Sequence, residues 1–221
     1  MPIGRLSSLQ ERVLVLVADV TPPWTLTGGG ALVGFHTKHR DTRDLDLFFR
    51  PQGALGEAVT DVRQRLEHAG LSVAILRSSP SFTQLEVRDD TGSVVVDLVA
   101  DPTPIADPPR PTDIGDRSIL VETPHQLLVN KLCALLSRSE LRDLVDVRAL
   151  LAAEGDLHRA LQDCPRQDGG FSPLTFAWCV RGIPLPRLAR ALGWPESDVV
   201  ELDRFRDELV DRVLTDARPE G

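Results

Sequence analysis

The sequence contains little cysteine and no long apolar run. Its three cysteines, Cys133, Cys164 and Cys179, form no CxxC pair and no Cys/His cluster with zinc spacing. An odd, scattered set indicates a reducing compartment, so we expect a cytoplasmic protein. The longest apolar candidate, residues 13–20, contains Asp19 and is much shorter than the ~20 residues of a membrane span. We therefore expect no membrane partner, and the N-terminus has no secretory signal pattern.

Positive charge is also scarce. The 221-residue chain has a net charge of -8, and only Lys38 and Lys131 are lysines among its 25 basic residues. This balance argues against a broad, non-specific surface for nucleic acids, although it leaves room for a local basic patch. The length is sufficient for one large domain or two small ones.

Hydrophobic periodicity divides the chain into an α/β half and a helical half. Helical spacing of apolar residues predicts helices over 7–19, 31–38 and 57–69. Alternating or β-branched runs predict strands at 24–27, 45–49, 71–77, 82–88 and 93–99, the last two joined by a hairpin turn. The later part is mostly helical, with predicted helices at 124–136, 140–153, 156–163, 173–180, 185–192 and 196–215.

A proline-rich segment separates the two halves. Residues 101–111 contain five prolines, so we expect no regular element to run through them. A linker or covering loop at this point predicts a first domain over residues 1–105 and a helical domain over residues 112–221.

Two carboxylates lie on the second predicted strand. Asp44 and Asp46 are two residues apart, so they share one face, and Leu45 and Leu47 lie on the other. Asp is disfavoured in strands and two like charges repel, whereas Mg²⁺ or Mn²⁺ would neutralise them. The alternative is a solvated sheet edge. The apolar flanks, which include Phe48, favour a buried strand and therefore a metal site.

A third carboxylate interrupts a β-branched run. Residues 94–99 read as a central strand buried on both faces, with Asp97 as their single charge. An unpaired buried carboxylate is costly, and a metal shared with Asp44 and Asp46 would remove that cost. The alternative is a strand-end Asp that bonds a nearby loop. Asp101 is a weaker candidate for the third ligand, because the proline-rich segment begins there.

A run of three glycines follows the first predicted strand: Gly28, Gly29 and Gly30. Glycines let the backbone approach a ligand closely, and the start of the next helix offers free N–H groups to a phosphate. We therefore predict that these glycines bind nucleotide phosphates. The segment between them and the aspartate pair is locally basic, and Arg40 and Arg43 are its best candidates for contacting a triphosphate or an acceptor.

Lys131 falls within an apolar helix, where a partly buried lysine needs a partner. Asp143 and Asp146 share one face of the next helix because they are three residues apart. Two interpretations stay open. Lys131 either forms a polar network with Arg138 and Asp143 at a helix–helix contact, or it points at the nucleotide phosphates.

Several of these motifs occur in the order seen in one protein family. They are Leu26-Thr27-Gly28-Gly29, His39-Arg40, Thr42, Asp44-Leu45-Asp46-Leu47-Phe48, Lys131-Leu132 and Arg142-Asp143-Leu144-x-Asp146. Over about residues 24–151 the chain resembles the AbiEii/AbiGii toxin family, whose members are nucleotidyltransferase-like proteins, many of them toxin halves of bacterial toxin–antitoxin or phage-abortive systems. The resemblance implies an α+β fold: a polymerase-β-like mixed sheet with flanking helices, followed by a mainly α-helical C-terminal part.

The resemblance also implies Mg²⁺-dependent transfer of a nucleotide from an NTP, with RNA such as tRNA as acceptor and an antitoxin as partner. The glycine motif of the family maps to Gly28 and Gly29. Its catalytic residues map to Asp44, Asp46, Lys131 and Asp143, and we add Asp97 to this set. The family usually has Ser or Thr at the position of Gly30.

Two other functions remain open. The protein could transfer a nucleotide to a small hydroxylated molecule, as antibiotic nucleotidyltransferases do, because an acidic surface suits a cationic aminoglycoside better than it suits tRNA. It could also bind a nucleotide without turnover, an interpretation that the glycine at position 30 favours.

Overall fold

The computed structural model describes residues 6–138 and 140–217. Its first helix begins with a capping box. The Ser7 hydroxyl accepts a hydrogen bond from the Gln10 backbone N–H, and the Gln10 side chain accepts one from the Ser7 N–H. The two bonds satisfy donors that a helix start leaves unpaired. The helix that follows is α1 (Ser8–Val17).

The chain divides into two units, Met1–Pro124 and His125–Gly221. The first unit contains a seven-stranded mixed sheet with flanking helices, as predicted. After α1 its elements are β1 (Trp24–Thr27), α2 (Gly28–Ala31), a π-helical segment (Leu32–His36), β2 (Asp44–Phe49), α3 (Ala58–His68), β3 (Ser72–Ser78), β4 (Phe82–Asp89), β5 (Gly92–Ala100), β6 (Arg110–Ile114) and β7 (Arg117–Val121).

The strand order across the sheet is β3-β4-β5-β2-β1-β7-β6. The pairs β2–β5 and β1–β7 are parallel, and the other four pairs are antiparallel. Strands β2 and β5 therefore lie side by side near the centre although helix α3 and two strands separate them in sequence. This placement brings distant parts of the chain to one part of the sheet.

Only one face of the central strands is fully buried. Alternate residues of β2 and β5, such as Leu45, Leu47 and Val96, are buried, and α1 packs against β5 while α3 packs against β3 and α1. The residues between them, including Val95 and Asp97, are only half-buried. Our prediction that residues 94–99 are buried on both faces was therefore wrong, because β-branched residues favour a strand whether one face or both are covered.

The chain forms a hairpin before it becomes helical. Strands β6 and β7 pair around a turn at Gly115, whose φ is +59°. We predicted no regular element within residues 101–111 and mostly helices beyond them, and both predictions were wrong at this hairpin. Pro111 is tolerated in β6 because this strand lies at the edge of the sheet, where one side needs no ladder hydrogen bonds.

The second unit is helical, as predicted. Its helices are α4 (Pro124–Arg138), α5 (Leu141–Ala152), α6 (Leu157–Gln167), α7 (Pro173–Arg181), α8 (Leu185–Ala191) and α9 (Glu196–Asp216). Side-chain caps begin two of them: Asp156 accepts from Arg159 N–H at α6, and Ser172 accepts from Thr175 N–H at α7. Helices α7 and α8 pack against α9. Over the residues described, no helix is both long and apolar enough to cross a membrane.

Candidate active site

Strand register places the three predicted metal ligands on one face of the sheet. Asp46 pairs directly with Asp97 across the parallel β2–β5 ladder. Asp44 precedes Asp46 by two residues, so its side chain points to the same face. Neighbouring strands are about 4.8 Å apart, so the three carboxylates occupy one small area of the half-buried face. The structure therefore brings Asp44, Asp46 and Asp97 together from separate segments.

Each outer carboxylate of this group is held by a neighbour. Asp44 Oδ1 accepts a 2.7 Å hydrogen bond from Thr42 Oγ1, and Asp97 Oδ1 accepts a 2.9 Å bond from Gln84 Nε2. Burial raises the pKa of Asp97, the bond from Gln84 opposes this rise, and the charge of Asp44 adds to it. Burial and the negative charge of Asp44 therefore disfavour the ionised form of Asp97.

The three carboxylates are chemically suited to a divalent cation, and they lie on the same face of neighbouring strands. Carboxylate oxygens are what Mg²⁺ prefers, and their mutual repulsion is what a cation would relieve. The side chains do not converge as they stand: within residues 6–138 and 140–217, no three His, Cys, Asp or Glu side chains are grouped closely enough to hold a metal. Binding would require the carboxylates to reorient from Thr42 and Gln84, so the metal site stays a prediction.

The glycine run lies directly against these carboxylates. Gly28 has a φ of +59°, and a Cβ atom there would lie 2.0 Å from Asp46 Oδ2. A Cβ at Gly29 would lie 2.7 Å from Thr42 Oγ1. Only glycine allows this approach. We predicted a helix from residue 31, but it starts at Gly28, so the glycines form its first turn.

Gly30 differs from its two neighbours. A Cβ there would point between Leu26 and Leu45, at 3.2 Å and 3.1 Å from their nearest methyl carbons. A Ser or Thr side chain at this position would therefore begin on the apolar side of the turn, away from the carboxylate face. Any contribution of Gly30 to ligand binding has to come from its backbone.

The two predicted arginines have different surroundings. A Cβ at Gly29 would be 3.2 Å from one terminal guanidinium nitrogen of Arg40, so Arg40 lies beside the glycine turn. Arg43 is exposed, and its carbonyl oxygen accepts a hydrogen bond from Val95 N–H at the start of the β2–β5 ladder. Arg40 is therefore the one that the structure places at the predicted phosphate site.

A buried polar network next to the site was not predicted. Arg50 donates to Asp101 at 2.9 Å and to Glu122 at 2.7 Å, while the Thr27 hydroxyl donates to the other oxygen of Glu122. His36 Nε2 bonds the Glu122 carbonyl at 2.8 Å. The network fixes the glycine turn to the ends of four strands. No sequence pattern predicted this network, because Glu122 follows β7, a strand that we did not predict.

Lys131 and Asp143 form a second cluster, within the helical unit. Lys131 Nζ lies 2.8 Å from Asp143 Oδ1 and 2.7 Å from Asp146 Oδ2, and Arg138 Nε bonds Asp143 at 2.8 Å. Burial would lower the pKa of Lys131, but the charges of Asp146 and Asp143 raise it above its usual value. The lysine therefore stays charged. The predicted network with Arg138 and Asp143 is present, and the role of Lys131 at the nucleotide phosphates stays a prediction.

Comparison with known proteins identifies the family. The model of the nucleotidyl transferase AbiEii toxin family, type IV toxin–antitoxin system, matches residues 13–217. The chain belongs to this family. Membership makes it a nucleotidyltransferase, as the resemblance implied. No curated protein matches the chain.

Solved structures share the fold of this AbiEii-family protein. MenT4, a nucleotidyltransferase toxin from Mycobacterium tuberculosis H37Rv, is 16% identical, with a TM-score of 0.59 over 95% of this chain and 86% of that chain. JHP933 from Helicobacter pylori is 15% identical, with a TM-score of 0.55 over 95% of both chains. At these identities the likeness shows the fold alone.

Gly28→Ala tests the close approach of the turn to Asp46. A left-handed alanine costs roughly 1–2 kcal/mol, and Gly56→Ala carries that cost alone, because at φ +54° its Cβ would meet no atom of the described residues within 4 Å. We expect both variants to lose stability in urea unfolding. Only Gly28→Ala should also lose nucleotide transfer, since its Cβ displaces Asp46. Equal activity of the two variants would contradict this role.

Asp97→Asn tests the charge on the carboxylate face. Because burial and Asp44 raise the folded-state pKa of Asp97, its contribution to stability is complete below the unfolded pKa and is lost as pH rises through the folded pKa. At pH 7 without cations, Asp97→Asn should therefore melt at a higher temperature than wild type. The variant should also lose any rise in melting temperature that Mg²⁺ produces. The exposed Asp113→Asn serves as the control.

Lys131→Met tests the helical network. Removing one member of a buried charge cluster costs about 3–5 kcal/mol, so urea unfolding should show a loss of at least ~3 kcal/mol. Lys38→Met changes the other lysine, which is exposed, and should stay within about 0.5 kcal/mol of wild type. A Lys131→Met protein of unchanged stability but without transfer activity would instead support the direct catalytic role.

Proposed function

We propose that the protein transfers a nucleoside monophosphate from an NTP to a hydroxyl group of RNA, such as tRNA, with Mg²⁺ as cofactor. The observation that carries the proposal is the position of Asp46. It lies against Gly28 on one side and is paired in register with Asp97 on the other. A phosphate-binding turn and two carboxylates from different strands thus meet at one point.

The geometry supports a division of roles around that point. The backbone N–H groups of Gly28 and Gly29 would bind the triphosphate, and Arg40 beside them would neutralise part of its charge. Asp44 and Asp46 would hold the cation, with Asp97 as a further ligand. A bound Mg²⁺ would offset the charge that develops on the phosphate oxygens.

The reaction balances without a further co-reactant. The acceptor hydroxyl gives its proton to Asp97, from which the proton passes to solvent. The acceptor oxygen forms a bond to the α-phosphorus, the bond from that phosphorus to the bridging oxygen breaks, and pyrophosphate leaves. Asp97, whose pKa is raised by burial, would accept a hydrogen bond from the acceptor hydroxyl and orient it. Pyrophosphate release and RNA labelling should therefore occur in equal amounts.

The catalytic roles of Lys131 and Asp143 form a separate part of the proposal. Each already binds an oppositely charged partner in the helical unit. We infer that Asp143 acts by holding Lys131, and that Lys131 is the member that would contact a phosphate. Membership of a toxin–antitoxin family also supports a cognate antitoxin as partner, and we propose that both act in the cytoplasm.

A small cationic acceptor is the second candidate. The net charge of -8 and the carboxylate face favour an aminoglycoside-like molecule over RNA on electrostatic grounds. Incubation with labelled NTPs, bulk tRNA and a set of aminoglycosides separates the two, because label enters only the true acceptor. Binding without turnover has lost support, since the hydroxyl missing at Gly30 would point to the apolar side of the turn.

Asp46→Asn tests the proposed function. The variant keeps the shape of the side chain but removes the charge that would hold the cation, so we expect transfer of label from NTP to bulk tRNA to fall at least about 100-fold. Asp113→Asn, on the distant edge strand β6, should transfer at the wild-type rate. An Asp46→Asn protein that labels RNA as fast as wild type would overturn the assignment.

A further inference from the structure

A β-bulge in the edge strand β3 changes which side chain faces the carboxylates. Ile75 pairs with Leu85 of β4, but the next paired residue is Arg77, which lies opposite Gln84. Leu76 is the extra residue between them. Bulges re-aim side chains and occur often beside active sites.

The bulge determines the side of the sheet on which Arg77 lies. In a regular ladder Leu76 would pair with Gln84, and Arg77 would pair with Thr83, whose side chain is fully buried on the apolar side. Side chains of directly paired residues point to the same face. The extra residue therefore moves Arg77 from the apolar face to the carboxylate face.

Arg77 consequently ends a row of polar side chains that crosses five strands. The pairings run from Arg77 to Gln84, from Gln84 to Asp97, from Asp97 to Asp46 and from Asp46 to Thr27. With about 4.8 Å between strands, the Arg77 backbone lies about 10 Å from that of Asp97 and about 14 Å from that of Asp46. A long guanidinium side chain reaches toward Asp97 but not to the glycine turn.

The side chain of Arg77 forms no close ion pair in the described part of the chain, and its charge acts on Asp97 only from beyond ion-pair distance, where it lowers the pKa of that carboxyl. The Arg77 side chain is exposed, and within the described chain it makes no hydrogen bond and no salt bridge within 4.0 Å. Arg88, which lies on the neighbouring strand, is by contrast bound to Glu86 at 2.7 Å. An arginine that is turned onto the carboxylate face and forms no hydrogen bond or close ion pair there is available to an anionic ligand.

We propose that Arg77 binds a phosphate of the acceptor nucleic acid and holds it on the Asp97 side of the site. This inference rests on the proposed function. The acceptor is favoured over the NTP because the glycine turn and Arg40, which would bind the triphosphate, lie at the opposite end of the row, against Asp46 and Thr42. The same charge would repel a cationic acceptor.

The test compares Arg77→Ala with the matched control Arg88→Ala, which removes an arginine of similar exposure from the next strand. Fluorescence anisotropy with a fluorescein-labelled single-stranded RNA oligonucleotide, without NTP or Mg²⁺, measures binding alone. We expect Arg77→Ala to weaken RNA binding about tenfold at 0.1 M salt. The slope of log K against log salt should decrease by about 0.7, the value for one phosphate contact on a single strand. Arg88→Ala should bind as wild type does.

A second set of measurements tests whether Arg77 binds a phosphate of the RNA or a phosphate of the NTP. Calorimetric binding of Mg²⁺–ATP and Mg²⁺–GTP should be the same for wild type and Arg77→Ala, and in transfer assays the variant should raise KM for bulk tRNA while kcat changes little. Arg77→Lys should recover part of the RNA affinity, because it restores charge without the planar fork. Unchanged melting temperatures of both alanine variants show that the sheet is intact.

Several outcomes would overturn the inference. It fails if wild type does not bind the RNA probe, if Arg77→Ala binds it as tightly as wild type does, or if the variant weakens nucleotide binding instead. Its failure is distinct from that of the proposed function. If RNA binding depends on Arg77 but the wild-type protein transfers no nucleotide, the proposed function is wrong and the Arg77 contact is supported. If the protein transfers nucleotides to tRNA whether or not Arg77 is present, the proposed function is supported and the Arg77 contact is wrong.

Discussion

The parallel pairing of β2 with β5 is the interaction on which the site depends. It sets Asp46 beside Asp97, although about fifty residues separate them in sequence. Two neighbouring groups take their position from these residues: Gly28 lies against Asp46, and Gln84 bonds Asp97. A shift of one residue in this register would turn the carboxylate of the shifted strand into the apolar face and separate it from its partner. The alternation of side chains along β2 that buries Leu45 and Leu47 therefore also places Asp44 and Asp46 on the face that carries Asp97.

The carboxylate site also lowers the stability of the first unit, and interactions elsewhere in this unit must offset that loss. Burial and Asp44 raise the pKa of Asp97, so its ionised form is disfavoured in the folded chain. The neighbouring Arg50 network acts in the opposite sense, because Glu122 has its two oxygens bound by Arg50 and Thr27. Since Thr27 directly precedes Gly28, this buried network anchors the glycine turn beside the carboxylates.

Local features were predictable from the sequence, and long-range pairings were not. The Asp44–Asp46 face, the glycine turn and the Lys131–Asp143 network follow from spacings within one or two elements. The β6–β7 hairpin was missed because Pro111 argues against a strand, and only its place at the sheet edge makes it tolerable. Glu122 and Arg77 were missed for a related reason. Their roles depend on strand order and on a bulge, neither of which leaves a periodic pattern in a single sequence.

The direction in which a side chain at position 30 would point bears on how this family member would recognise a phosphate. A hydroxyl at that position would start between Leu26 and Leu45, in apolar surroundings where an unpaired polar group is costly. The turn nevertheless keeps Gly28 and Gly29 against Asp46 and Thr42, so its backbone N–H groups keep their place. Phosphate binding at such a turn relies on backbone donors and on close approach, both of which glycine preserves. The substitution at position 30 therefore changes the packing beneath the turn rather than the groups that would face a nucleotide.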